Sequence, residues 1–229
     1  MNKRPPIAAV LLDLDGTLLD TAPDLAATVN SMRSDAGLEP LPASDLRHLA
    51  SWGARGMLGK GLSVTPDDAE YEPLRKRFIE RYREKMTDLS QPFPGTREAM
   101  VELGEAGLLW GVVTNKYESL AVPLMQAMAF RPEPACVIGG DSAAHAKPHP
   151  APLFMACEQI GVDPAACIYV GDSDRDIEAG RAAGMLTIAA AHGYVTPGED
   201  IAMWRADAVI QDMSELTSCV TQLIEQAHA

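Results

Sequence analysis

The chain has 229 residues, 47% hydrophobic and 22% charged, with a formal net charge of −13 and an isoelectric point near 4.7. That composition excludes a disordered chain, and the length suits one core domain with a modest insertion. No basic cluster offsets the charge, so repulsion excludes nucleic acid or an anionic membrane as a main partner, and no apolar run approaches the roughly 20 residues that a membrane span needs.

The first predicted element is IAAVLLD (7–13), an apolar run that stops at aspartates. Two basic residues precede it in MNKRPPIAAV, but the run meets Asp13 with no small-residue cleavage site. The opening therefore reads as a first strand and not as a signal peptide, and a cytoplasmic location is expected. The next strand-like run lies about ninety residues on, far beyond an ordinary crossover. That interval carries helical periodicity over 21–37, 44–62 and 68–86. Leu74, Phe78 and Tyr82 form a core-packing stripe at four-residue spacing, and RKRFIERYREK (75–85) reads as a solvated face with balanced charges. A helical insertion over 20–90 is expected, with residues 1–19 and 91–229 forming the core.

Residues 91–229 alternate strand and helix. The strand candidates are LLWGVVTN (108–115), ACVIGGD (135–141), CIYVGD (167–172), MLTIAAA (185–191) and ADAVIQD (206–212). Helix-like segments occupy 94–107, 118–130, 150–161 and 174–184, the last closing at Gly184. Continuous apolarity predicts strands buried on both faces, hence an α/β fold with a doubly wound parallel sheet and an inserted α-helical cap. Cys136, Cys157, Cys167 and Cys219 form no CxxC pair and match no histidine spacing, so reduced, buried thiols are expected, not zinc or disulfides.

Ligands of open parallel sheets bind beyond the carboxyl ends of the strands. The polar residues there are Asp13 and Asp15, then Thr114 and Asn115, Lys147 in the loop after the third strand, and Asp172, Ser173 and Asp176. Clustered carboxylates repel unless a cation joins them, and hard oxygen ligands suit Mg²⁺. Mg²⁺ and a lysine together neutralise an incoming phosphate. One carboxylate can then attack phosphorus, while a second, two residues on, handles the proton. A hydroxyl at Thr114 and backbone amides of the turn around Gly16 are candidates for holding phosphoryl oxygens.

DLDGT (13–17), VVTN (112–115), Lys147 before Pro148, and GDSDRDI (171–177) resemble the four ordered motifs of the haloacid dehalogenase superfamily. The resemblance runs the whole chain and includes the place of that superfamily's helical cap; Leu12 stands where an aromatic is usual. It implies Asp13 as nucleophile, Asp15 as general acid and base, Thr114 as phosphoryl ligand, and Lys147 bridging nucleophile and phosphate. It further implies Mg²⁺ held by Asp13, the backbone carbonyl of Asp15 and Asp172, with Asp176 supporting Lys147 or a metal-bound water. Overall the chain is similar to phosphoglycolate phosphatase-like hydrolases. LLWGVVTNK, EPLRKRFIERY and GARGM are similar to the branch of N-acetylmuramic acid 6-phosphate phosphatases of cell-wall recycling. The activity implied is Mg²⁺-dependent hydrolysis of a small-molecule phosphate ester, with a cap that excludes water and selects the substrate.

Other residues carry competing readings. Asp20 is expected to cap the first cap helix, and Ser173 the helix after it. Asn115 either touches substrate or caps the next helix. His145 and His149 are expected to be loop histidines without a role. GARGMLGKG (53–61) fails as a nucleotide phosphate loop because its glycine spacing and its Ser/Thr are missing. Arg55, between glycines in the cap, is taken as a cation that reaches a substrate anion. Asp15 argues against a dehalogenase. A phosphomutase of the same fold would share all four motifs, and a non-catalytic binding protein would have lost Asp13, Asp15, Lys147 or Asp172.

Overall fold

The computed structural model describes residues 4–228, so the start and the last residue of the two expected core segments lie outside the described residues. In chain order, β1 (Ala9–Leu12) is followed by β2 (Leu19–Asp20), α1 (Ala22–Asp35), α2 (Ala43–Arg47), α3 (Gly53–Leu62), α4 (Tyr71–Lys85) and β3 (Gln91–Pro92). The chain continues through α5 (Thr96–Glu105), β4 (Leu109–Val113), α6 (Glu118–Met128), β5 (Val137–Ile138), α7 (Ala151–Ile160) and β6 (Cys167–Gly171). It ends with α8 (Asp174–Ala182), β7 (Leu186–Ala190), β8 (Ala208–Ile210) and α9 (Leu216–His228).

Six strands form one parallel sheet in the order β5-β4-β1-β6-β7-β8. Every predicted strand is in it. Val10 and Leu12 of β1 bury into one apolar cluster with α5, α6 and α9, while Ala9 and Leu11 bury into another with α7 and α8. Burial on both faces is why the run is apolar without alternation. From β1 the chain builds outward through β4 and β5, then returns to the other side of β1 for β6. The carboxyl ends of β4, β1 and β6 therefore meet at the topological switch point, where such sheets bind ligands.

Helices α1 to α4 lie between β2 and β3, which pair antiparallel as Leu19↔Pro92 and Asp20↔Gln91. The two chain crossings are thus one short ribbon. Helix α1 packs against α3 so closely that a Cβ on Gly61 would sit 2.3 Å from Val29 Cγ2. The segment 44–62 is not one helix: a 3-10 turn at Ala50–Trp52 and Gly53 at φ +51° separate α2 from α3. A right-handed helix cannot continue through a positive φ, which glycine alone adopts without strain. Phe78 and Tyr82 are buried and Leu74 packs against them, as the stripe predicts. Within 75–85, Arg77 and Arg81 pair with Asp35 of α1.

Asp20 does not cap α1. Thr21 holds the N-cap position, and Asp20, fixed in β2, instead accepts from Arg47 Nη1 at 2.8 and 2.9 Å and from the Tyr194 hydroxyl at 2.9 Å. Asp24, in the first turn of α1, accepts from Ser90 N at 2.8 Å and Ser90 Oγ at 2.6 Å, tying the start of the helical insertion to its end. All four cysteines are free; Cys136, Cys157 and Cys167 are buried and Cys219 half-buried.

Candidate active site

A cavity of about 370 Å³ lies between the strand ends and the helical insertion. Asp13, Asp15, Thr114, Asn115, Lys116, Lys147 and Asp176 line it from the sheet side. Trp52, Arg55, Tyr71, Arg75 and Tyr82 line it from the other. The chain turns sharply after Asp15 because Gly16 adopts φ +89° and donates its N–H to Leu19 O at 2.9 Å. A Cβ there would sit 2.2 Å from Asp172 Oδ2, so only glycine lets the β1 loop lie against the end of β6. The Gly16 amide is therefore spent inside its own turn. That corrects the expectation that it binds phosphate.

Lys147 is buried among core groups. Its Nζ lies 2.9 Å from Asp13 Oδ1 and donates to Asp176 Oδ1 at 2.7 Å, Val113 O at 3.0 Å and the Tyr169 hydroxyl at 2.7 Å. Burial disfavours its charge, but Asp13 and Asp176 outweigh burial and hold its pKa above the ordinary lysine value. Asn115 fixes the same residue by its backbone: Nδ2 donates to Lys147 O at 3.0 Å and Oδ1 accepts from Lys147 N at 2.9 Å. The cap position of α6 belongs to Tyr117. Asn115 thus does not cap α6; it lines the cavity with its amide tied to the Lys147 main chain. Asp176 also accepts from Ser173 N at 3.1 Å and Ser173 Oγ at 2.7 Å, with Ser173 at the N-cap of α8.

Asp15 has a different set of partners. Lys116 Nζ donates to its two oxygens at 2.8 and 3.0 Å, and Thr21 Oγ1 donates to Oδ1 at 2.5 Å. The Lys116 ammonium sits 4.7 Å from the ring centre of Tyr82 on α4. Burial is the largest single influence and opposes its charge, but Asp15 and Tyr82 together outweigh it and raise its pKa. Tyr82 is itself buried, which pushes its phenol up to about 12 against the pull of the nearby ammonium. Its hydroxyl proton meets no acceptor among the described residues.

The carboxylates form an excess of buried negative charge. Oxygens of Asp13, Asp172 and Asp176 all lie within 4.8 Å of one another, with Lys147 the one cation among them. Burial raises the pKa of Asp13, with Lys147 opposing and Asp176 and Asp15 adding to it. Asp172 is raised to about 8, by burial first and then by Asp13 and Asp176, although Tyr194 N and the Thr17 hydroxyl stabilise its charged form. An acidic set of this kind, with hard oxygen donors and unbalanced charge, fits a divalent cation such as Mg²⁺.

Arg55 is exposed on α3 and lines the cavity, with no ion pair among the described residues. Thr114 is buried at the end of β4 and reaches the cavity. His145 and His149 lie against each other with their rings tilted by 45°, 4.6 Å between ring centres, outside it. Three cavity residues escape sequence reasoning. Lys116 directly follows the strand-end pair and carries that positional signal. Arg75 sits in the charge run read as a solvated face. Arg175, inside GDSDRDI, donates to Ser51 O at 3.0 Å and stacks over Trp52 at 4.5 Å, joining α8 to the turn before α3.

Residues 10–190 match the haloacid dehalogenase-like hydrolase family. The chain is 42% identical to the N-acetylmuramic acid 6-phosphate phosphatase of Pseudomonas aeruginosa, over 93% of this chain and 95% of that one. It is 43% identical to a phosphoglycolate phosphatase of Xanthomonas campestris pv. campestris, over 91% and 94% of the two chains. A crystal structure of a predicted phosphoglycolate phosphatase from Haemophilus somnus superposes with a TM-score of 0.80 at 27% identity, covering 93% of this chain and 98% of that one.

Proposed function

The chain belongs to the haloacid dehalogenase-like hydrolase family and is a phosphoric monoester hydrolase, and we propose that it cleaves a small-molecule ester through an aspartyl-phosphate on Asp13. The observation that carries this reading is the Asp13–Lys147–Asp176 cluster at the mouth of β1, beside Asp15. Residues 20–90 act as the cap and the remainder as the catalytic core.

Asp13 attacks phosphorus and the P–O bond to the alcohol breaks. Asp15 gives its proton to the departing oxygen, then removes one from the water that hydrolyses the acyl phosphate. Thr114 and Lys147 hold the phosphoryl oxygens, with Lys147 fixed by Asp176 and its backbone by Asn115. Asp13, the main-chain carbonyl of Asp15 and Asp172 would hold Mg²⁺, which would supply charge neutralisation for the phosphate. The cap excludes water while the ester is bound.

Phosphoglycolate is the first substrate class, and N-acetylmuramic acid 6-phosphate the second. Both carry a carboxylate besides the phosphate. The second reading is favoured by the cavity itself, whose size of about 370 Å³ and wall of Trp52, Tyr71 and Phe78 suit a bulkier alcohol than a two-carbon acid. The test is phosphate release from both esters, with Mg²⁺ and with chelator. Metal-dependent turnover is expected, and Asp13→Asn is expected to lower it on the order of 10⁴-fold or more with the circular dichroism spectrum unchanged. Retained turnover in that variant would overturn the nucleophile assignment.

A further inference from the structure

Asp15 is fastened in a way that does not suit its task. Lys116 donates to both of its oxygens and Thr21 to a further site on Oδ1, so three of the roughly four acceptor sites of the carboxylate are taken and its approach to a leaving oxygen is restricted. Beside that ion pair stands Tyr82, 2% exposed, lining the cavity with a hydroxyl whose proton meets no acceptor among the described residues. A buried hydroxyl left unsatisfied is costly to a folded chain and calls for an explanation. Lys116 comes from the core, just after β4, and Tyr82 from the cap helix α4.

Resting on the phosphatase reading, we infer that Lys116 and Tyr82 form a substrate-sensing pair for an oxygen acceptor on the alcohol part of the ester. The acceptor, close to the ester oxygen, takes the Tyr82 hydroxyl proton as its partner and draws the Lys116 ammonium off Asp15. Asp15 is then free to face the leaving oxygen. The chemical class this selects is a phosphate monoester of an oxygen-bearing aliphatic alcohol: a carboxylate, hydroxyl or ring oxygen within a few bonds of the esterified carbon. An ester without such an oxygen leaves Asp15 engaged with Lys116 during the step that expels the alcohol. Because the pair joins cap to core, the same acceptor also bridges the two sides of the cavity. Lys116 is a specificity and positioning residue, distinct from the phosphoryl-holding Lys147.

The experiment compares 2-phosphoglycolate and N-acetylmuramic acid 6-phosphate with 4-nitrophenyl phosphate, which has no acceptor near its ester oxygen and a leaving group that needs no proton. For the better aliphatic ester, Lys116→Met is expected to lower kcat/KM about 100-fold, and by less than about tenfold on the aryl ester. Lys116→Arg is expected to recover about tenfold of that loss, since it restores a cationic donor. Tyr82→Phe removes only the hydroxyl. It is expected to raise KM for the aliphatic ester about five- to tenfold, with kcat held within about twofold and Tm equal to or above the parent. Equal losses on aliphatic and aryl esters in Lys116→Met would overturn the inference alone, as would a lowered Tm with unmoved KM in Tyr82→Phe. If the unaltered protein turns over none of the three esters, the phosphatase reading falls and this inference falls with it.

Discussion

Two buried lysines face one cavity, each against one of the two aspartates that follow β1. Lys147 is held by Asp13, Asp176, Tyr169 and Val113, every one of them in the core. Lys116 is held by Asp15 from the core and the Tyr82 ring from the cap. The first environment lies wholly within the core. The second is divided between two parts of the molecule and leaves a hydroxyl proton without an acceptor among the described residues. Chemistry common to every ester needs a fixed cation, while selection among esters needs one that answers to what the cap encloses.

The largest effect should come from the core lysine. Lys147→Met leaves Asp13 and Asp176 facing each other without their shared counter-ion, and removing one partner of a buried charged cluster costs about 3–5 kcal/mol. Urea unfolding is expected to show that loss, and turnover should collapse on aliphatic and aryl esters alike. A variant that keeps its stability or distinguishes between the esters would break the contrast between the two lysines.

The core side of this contrast was legible in the sequence and the cap side was not. Asp13, Asp15, Thr114, Lys147 and Asp172 follow apolar runs, and a parallel sheet sends all strand ends to one edge. The helical insertion was legible as periodicity, but its broken middle turned on the single φ of Gly53. Tyr82 belongs to a stripe that packs as core, and periodicity says nothing about which end of a buried tyrosine meets a cavity. Arg75 looked like one more charge on a solvated helix. Asp20 and Asn115 sit where short polar residues often cap helices, and only tertiary partners, Arg47 and the Lys147 main chain, decide otherwise.

A smaller, sharper test concerns the acidic excess beside Lys147. Asp172 has its pKa raised to about 8, by burial first and by Asp13 and Asp176 next. An unfolded aspartate titrates near 4, so between about pH 4 and pH 8 the folded, metal-free protein binds the extra proton. This group's contribution to metal-free stability is therefore present at low pH and lost as pH rises through that window. Mg²⁺ needs the carboxylate, so its binding is expected to release a proton, with affinity rising at most about tenfold per pH unit up to about pH 8 and levelling above. Calorimetric titration in buffers of different ionisation enthalpy measures the proton directly. Affinity that stays flat between about pH 6 and pH 8 would contradict it.

Arg55 should give the smallest effect, confined to the cap side. It is exposed and, among the described residues, has no ion pair to lose, so Arg55→Ala is expected to change stability by no more than about 0.5 kcal/mol. Its charge still matters to a ligand, because a chain of net charge −13 otherwise repels an anion that approaches the cavity. A phosphate ester bearing a carboxylate should therefore show KM raised about five- to twentyfold, with kcat little changed, while 4-nitrophenyl phosphate shifts less than about twofold. Added salt should shrink the difference, since an exposed cation is screened within about 10 Å at 0.1 M ionic strength. That separates Arg55 from Lys116, whose pairing with Asp15 is buried and should respond little to salt. Equal KM changes on the two esters would remove Arg55 from substrate selection and leave that task to the buried pair.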